Sequence, residues 1–221
     1  MPLAALKALT FLLCLLPLAY YGWGAWHDLL GANPVEAVTR GLGTWTLNLL
    51  LITLAVTPLR KLTGWHMALR LRRMLGLFVF FYAALHLTSY LWFDQFFDWS
   101  AIAADILKRP FITVGMAAFV LLIPLAATSS HFAIRQLGGR RWQALHRTVY
   151  VIAILAVLHY FWLVKADLSQ PLLYGGILCG LLGLRVWWRE QERREQLAGK
   201  YQPKNISLKP RNRIIPILPE R

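Results

Sequence analysis

The 221-residue chain is 57% hydrophobic and only 15% charged, yet it carries a formal net charge of +14, from 24 Lys and Arg against 10 Asp and Glu. Charges in a soluble domain of this length interrupt its apolar stretches throughout; here they do not, which argues against a soluble enzyme. The basic residues sit in short links between apolar runs and form no stripe on a soluble domain, which argues against nucleic acid as the partner.

Six runs contain no Asp, Glu, Lys or Arg: Ala8 to His27, Gly41 to Leu59, Met74 to Phe93, Pro110 to Ile134, Thr148 to Val164 and Leu168 to Leu184. Each is long enough to cross about 30 Å of hydrocarbon at about 1.5 Å per residue. The expected fold is therefore an all-α integral membrane protein, a bundle of six transmembrane helices over about 9–27, 43–59, 74–93, 110–129, 148–164 and 170–188. In the first run, Lys7 followed by apolar residues resembles a signal peptide. Its apolar stretch continues to Trp26 without a small-residue cleavage pattern, so it reads as a helix. Pro17, Gly22 and Gly24 are tolerable within it.

The links sort by charge. The N-terminus, the second and fourth links and the C-terminal tail together hold 20 bases and 4 acids; the first, third and fifth links hold 4 bases and 6 acids. Cytoplasmic links collect Lys and Arg, so both termini are expected in the cytoplasm. The tryptophans agree with this threading. Trp23, Trp26, Trp45, Trp92, Trp99 and Trp162 fall near the outer ends, and Trp65, Trp142, Trp187 and Trp188 near the inner ends, where indoles favour the headgroup level.

The transmembrane domain is thus expected over residues 1–188 and a basic cytoplasmic tail over 189–221. The tail begins by extending the sixth helix, with Glu190 and Arg194 one turn apart, and ends in a Pro-containing basic arm suited to anionic lipid or to a cytosolic partner. About 33 residues after the last span are too few to fold a nucleotide-binding domain. Cys14 and Cys179 lie inside apolar runs without metal or disulfide spacing, and read as packing residues.

Chemistry inside a membrane needs ligating groups placed where lipid makes them costly. His86 and His159 are the conspicuous ones, in the third and fifth spans, which both run outward. From Met74 to His86 is roughly 18 Å of rise, and from Thr148 to His159 roughly 17 Å. Two imidazoles at one depth on neighbouring helices suit a six-coordinate haem iron with the porphyrin between the helices. Hydrogen bonding of each ring to an adjacent helix is the alternative. His146 precedes His159 by about 20 Å of rise, the spacing for a second haem on the cytoplasmic side. The matching positions on the third span are Arg72 and Arg73, which are not haem ligands, so that second iron would need His66, His131 or five-coordination. The spans contain no acidic residue and no matched pair of broken helices, which argues against a proton-coupled transporter.

The runs Thr57-Pro58-Leu59-Arg60, Arg72-Arg73-Met74-Leu75-Gly76-Leu77, Leu85-His86-Leu87-Thr88-Ser89-Tyr90, Arg109-Pro110-Phe111, Trp142-Gln143-Ala144-Leu145-His146-Arg147-Thr148-Val149-Tyr150 and His159-Tyr160-Phe161-Trp162 resemble the MsrQ or YedZ family, the haem-binding membrane subunits of bacterial periplasmic methionine-sulfoxide reductase systems. The likeness runs from Gly31-Ala32-Asn33-Pro34 to the sixth helix and extends to the wider ferric-reductase-like transmembrane group, whose members stack b haems between the third and fifth helices. Arg72 and Arg73 depart from the four-histidine version of that group.

The resemblance implies a multi-pass subunit of the bacterial inner membrane. It passes electrons from the quinone pool, or from a cytosolic flavin reductase, through haem b to a periplasmic molybdopterin enzyme that reduces methionine sulfoxide. It is not itself catalytic on the sulfoxide. The implied haem ligands are His86 and His159, with His146 as the candidate ligand of a second haem. FMN is also implied by the family; for it or a quinone headgroup, Arg72 and Arg73 are the candidate contacts, with Arg70, Arg140 and Arg141 nearby. Asp94, Asp98 and Asp105 stand in the third link, where an acidic docking face for the acceptor would lie. A stand-alone ferric-chelate or quinol oxidoreductase is the competing expectation.

Overall fold

The computed structural model describes residues 2–199; the basic arm expected beyond them lies outside the described residues. Contacts divide the chain into two units, Met1–Leu184 and Arg185–Arg221. Among the described residues there are helices and no strands, and six helical segments are long and apolar enough to cross a membrane. The protein is a multi-pass, all-α membrane protein.

The first helix, α1, spans Leu3–Trp26 with Pro17 inside it. α2, Pro34–Thr63, starts where Asn33 accepts the Glu36 amide at 3.1 Å with Pro34 at its first position, and stops at Gly64, whose φ of 71° is left-handed. A 3-10 turn over His66–Arg70 leads into α3, Arg72–Ser89. α3 continues into a π-helical turn over Tyr90–Asp94, closed by the Gln95 amide on the Tyr90 carbonyl at 3.2 Å. α4, Trp99–Lys108, is capped by Asp98, and Pro110 opens α5, Pro110–Ala127. α6, His131–His146, is capped by Ser130 and kinks at Gly138, where φ is 73°. α7 spans Val149–Leu163 and α8 spans Ser169–Leu197.

These helices overshoot the charge-free runs, and the reason is physical. Lys7, Glu36, Arg40, Arg60 and Lys61 lie on helical turns that reach past the hydrocarbon, so absence of charge marks the apolar slab and not the helix end. Two elements went unforeseen: α4, in a link too short to be read as a span, and α6, which joins α7 in one long segment over His131–Leu163. In the second unit, Glu190 takes Arg194 at 3.3 Å and Arg193 at 3.6 Å, as the one-turn spacing predicts.

The core is formed chiefly by α2, α3, α5 and α7. α2 packs most extensively on α3, and α5 on α7, while α3 also touches α5. Leu50, Leu54, Val79, Tyr82, Ile152 and Ala153 are buried there. Many of the largest apolar side chains instead face outward, among them Leu12, Leu16, Val120, Ile154, Leu172 and Trp187. In water that surface would be an aggregation hazard; in a bilayer it is the lipid-facing coat. Since lipid is as apolar as leucine, the helices are held by close packing and interhelical hydrogen bonds. One such bond joins Tyr174 to Asn48, hydroxyl to amide oxygen, at 2.8 Å. Another runs from Tyr82 into α1.

Candidate functional site

The two helices that carry the intramembrane histidines, α3 and α7, each pack mainly on a different neighbour, and their imidazoles meet between the two helix pairs. The ring centroids of His86 and His159 are 6.2 Å apart with the planes at 73°. His86 Nδ1 lies 2.9 Å from the Thr39 carbonyl on α2, and His159 Nδ1 lies 2.6 Å from the Phe111 carbonyl on α5. A carbonyl can only accept, so each Nδ1 carries the proton. Each ring is then the neutral tautomer whose lone pair is on Nε2, the nitrogen available to a metal. Among the described residues neither Nε2 has a hydrogen-bond partner.

This geometry fits one metal ion between two imidazoles. An imidazole nitrogen sits about 2 Å from a first-row metal, which puts the centroids of two rings on opposite sides of one ion roughly 6 Å apart. The carbonyl-bound Nδ1–H is the usual outer-shell arrangement of a ligating histidine, where it fixes the ring and makes Nε2 a stronger donor. A further observation bears on the fit: the buried hydroxyl of Thr39, on the residue that anchors His86, has no hydrogen-bond partner. Among the described residues there is no group of three or more His, Cys, Asp or Glu able to cage an ion.

The surroundings are built from the segments around α4 and after α7. Phe111, whose carbonyl anchors His159, also lines a cavity of about 510 Å³ with Arg109, Leu163 and Lys165. Asp105 fixes this corner. It accepts from the Tyr90 hydroxyl at 3.1 Å and from Gln95 Nε2 at 2.9 Å, and pairs with Arg109 Nε at 3.1 Å. Asp98 caps α4 through the Ser100 and Ala101 amides. Two of the three acids expected on a docking face are thus engaged within the chain, and Asp94 stays exposed.

His146 has different company. Its Nε2 is 3.0 Å from Thr128 Oγ1, and its ring stacks on Trp142 at 4.0 Å, with Trp142 Nε1 donating to the Thr128 carbonyl at 2.9 Å. His66 and His131 are both exposed, and neither pairs with His146. Arg72 is half-buried and Arg73 is exposed.

The pattern of the ferric reductase like transmembrane component matches residues 42–157. The chain is 64% identical to the protein-methionine-sulfoxide reductase heme-binding subunit MsrQ of Azospira oryzae over 185 residues, 83% of this chain and 79% of the relative. The subunit of the same name from Rhodospirillum rubrum is 60% identical over 177 residues, 80% of this chain and 85% of the relative. That of Bordetella pertussis is 55% identical over 190 residues, 84% and 92% of the two chains. The chain belongs to the MsrQ family.

The ferric-reductase-like match contains His86 and His146 and ends two residues before His159. The residues that anchor the rings were missed in the sequence. Thr39 and Phe111 act through their carbonyls, which any residue type supplies. The separations of anchor and histidine, 47 residues in one case and 48 in the other, are visible only once the helices are packed.

Proposed function

We propose that this MsrQ-family chain is the membrane electron-transfer subunit of a methionine-sulfoxide reductase system, holding haem b between His86 and His159. The observation that carries the reading is the histidine pair, 6.2 Å between centroids, with both Nδ1 atoms tied to backbone carbonyls. A haem held by two imidazoles carries one electron at a time and offers no open coordination position to oxygen or sulfoxide. α3 and α7 position the rings, α2 and α5 fix their tautomers, and the apolar faces around them exclude water. The names of the relatives support the assignment, since each is called the heme-binding subunit of a protein-methionine-sulfoxide reductase.

The chemistry balances with a partner outside the chain. Reducing a sulfoxide to a thioether and water takes two electrons and two protons, hence two successive one-electron deliveries per turnover. The donor is a quinol or a reduced flavin. Arg72 and Arg73 suit the anionic or carbonyl part of such a donor, Arg72 half-buried and Arg73 open to solvent. The charge segregation between alternate links supports both termini lying in the cytoplasm of a bacterial inner membrane, with the histidine pair in the outer half and the acceptor in the periplasm.

Absorption spectra of the purified chain test this. The wild type is expected to show a reducible low-spin b-type spectrum, lost in His86→Ala and in His159→Ala. A colourless preparation that is fully folded overturns the reading. Haem quantified per chain, with and without His146→Ala, decides whether His146 holds a second haem. Reoxidation of the reduced chain by ferric chelate alone, with no response to the sulfoxide reductase, would select the ferric-reductase alternative.

A further inference from the structure

Two helices that carry no haem-ligand candidate shape the histidine pair in the same way. On α2, the carbonyl of Thr39 holds His86, and one turn further along stands Gly43. A Cβ on Gly43 would lie 3.0 Å from His86 Cε1 and 3.2 Å from its Nδ1. On α5, the carbonyl of Phe111 holds His159, and one turn further along stands Gly115. A Cβ there would lie 2.7 Å from His159 Nδ1 and 2.9 Å from its Cε1. The device is a carbonyl at position i with glycine at i+4, and it occurs twice.

Helix geometry explains the pairing of the two parts. The carbonyl of residue i already accepts the amide of residue i+4, and only its second lone pair remains for a side chain. Each Cα–Cβ bond tilts toward the helix N-terminus, so the Cβ of residue i+4 overhangs the carbonyl of residue i. Glycine at i+4 uncovers that lone pair and leaves room for an imidazole to approach the helix. The 2.7 Å approach at Gly115 is closer than a Cβ tolerates, and the 3.0 Å approach at Gly43 requires the ring to give by a few tenths of an ångström, in each case against the hydrogen bond that holds the imidazole. No other glycine faces an imidazole among the described residues: a Cβ on Gly41 would meet the Tyr21 ring and one on Gly24 the Leu30 side chain, while a Cβ on Gly76 of α3, or on Gly180 of α8, meets nothing within 4 Å.

We infer that Gly43 and Gly115 are positioning residues for the haem ligands. By uncovering the Thr39 and Phe111 carbonyls they let α2 and α5 hold His86 and His159 as Nδ1–H tautomers, and so set the donor strength of both Nε2 atoms. α2–α3 and α5–α7 are then two versions of one half-site, each a glycine-cleared carbonyl helix paired with a histidine helix. The halves are unequal. The α5 half has the shorter hydrogen bond, 2.6 against 2.9 Å, and the tighter clearance, 2.7 against 3.0 Å. The inference rests on the haem reading above.

The test uses the full chain, purified with its haem, and reads haem content, midpoint potential and the electron paramagnetic resonance of the ferric state. Loss of an outer-shell bond to a ligating histidine typically costs 10- to 100-fold in affinity for the metal group. Gly115→Ala is therefore expected to lower haem retention by about 10-fold or more. In the haem that remains, the midpoint potential shifts upward, because an imidazole without its carbonyl partner donates less charge to ferric iron. Gly43→Ala shifts both in the same direction by less. Gly76→Ala and Gly180→Ala change neither.

A Gly115→Ala chain with wild-type haem content, potential and resonance overturns the inference. Should that variant fail to accumulate, proton magnetic resonance of the unmodified ferric protein decides. Two slowly exchanging, hyperfine-shifted Nδ1 protons support it, and their absence overturns it. A folded wild type without bis-imidazole haem removes the function reading itself, whereas bis-imidazole haem that is indifferent to Gly115 removes the positioning inference alone.

Discussion

The hydroxyl of Tyr82 donates to the carbonyl of Cys14 at 2.7 Å, across 68 residues of sequence. The same oxygen accepts from the Leu18 amide at 3.2 Å. Cys14 and Leu18 are an i,i+4 pair of α1, and Pro17 between them brings no amide of its own. The Tyr82 hydroxyl thus joins the Cys14–Leu18 rung of the α1 backbone beside its proline. Tyr82 is fully buried and stands one turn before His86 on α3, so α1 is tied to the helix that carries one of the paired histidines.

Tyr82→Phe removes the hydroxyl and keeps the ring. Interhelical hydrogen bonds in membranes average about 0.6 kcal/mol, with about 1.7 as an upper value. Thermal unfolding of the detergent-solubilised chain should therefore show a loss of about 1 kcal/mol or less, with haem content unchanged. Tyr82→Ala also empties a fully buried site, and a loss of roughly 3 to 5 kcal/mol is expected. A Phe variant as unstable as the Ala variant would mean that the hydrogen bonds, rather than packing, hold α1.

Asp105 links three elements: the π-helical turn after α3 through Tyr90 and Gln95, its own helix α4, and the start of α5 through Arg109. Its side chain is only 16% exposed, whereas that of Arg109 is 56% exposed. The ion pair is therefore substantially screened, and the hydrogen bonds from Tyr90 and Gln95 carry most of the effect. Asp105→Ala is expected to cost about 2 kcal/mol in unfolding, the range for bonds to a charged group, while Arg109→Ala costs well under that. Equal losses for the two variants would show that the ion pair dominates. Because Arg109 stands two residues before Phe111, Asp105→Ala should also weaken haem retention, read from the absorbance of the purified variant.

Asp98 gives a pH dependence with a defined sign. Hydrogen bonds from the Ser100 hydroxyl, and from the Ala101 and Ser100 amides, hold its carboxyl below the ordinary carboxylate range. A carboxyl whose folded pKa is depressed stabilises the fold above its unfolded value of about 3.9, and that contribution fades as pH falls through the lower folded value. Hydrogen exchange at the Ser100 and Ala101 amides should be slow relative to their intrinsic rates above about pH 4 and lose protection only as pH falls through the lower folded value. In Asp98→Ala the protection is absent at every pH. Protection that survives acidification would show that α4 does not depend on this cap.

The six spans were legible because a bilayer imposes a coarse rule, absence of charge over about 20 residues, and His86 and His159 were legible because depth along two parallel helices can be counted in residues. Contacts that depend on which face of a helix meets which were not. Gly43 and Gly115 look like other glycines until the imidazoles are placed against them, and Tyr82 looks like a packing aromatic until its hydroxyl is found inside α1. α4 escaped because its Asp98 cap and Ile102-bearing buried face occupy only 10 residues, too short for a span and easily read as loop. The kink at Gly138 had a signal, the Gly138-Gly139 pair, which splits α6 from the helical course a charge count would draw.

The threading itself can be tested without any cofactor. Ala103 on α4 and Gln136 on α6 are both exposed, and they lie in the third and fourth links, which the charge pattern assigns to opposite sides. Cys14 is buried and Cys179 is exposed, so the background is Cys179→Ser. In cells with a permeabilised outer membrane, a charged maleimide should label Ala103→Cys directly. It should label Gln136→Cys only after the inner membrane is opened. The reverse pattern would invert the topology and move the histidine pair to the cytoplasmic half. A quinol or flavin would then reach it from the near side, and a periplasmic acceptor would stand a further half-membrane away. That outcome would remove the physical reason for assigning delivery to the periplasm while leaving the His86–His159 geometry intact.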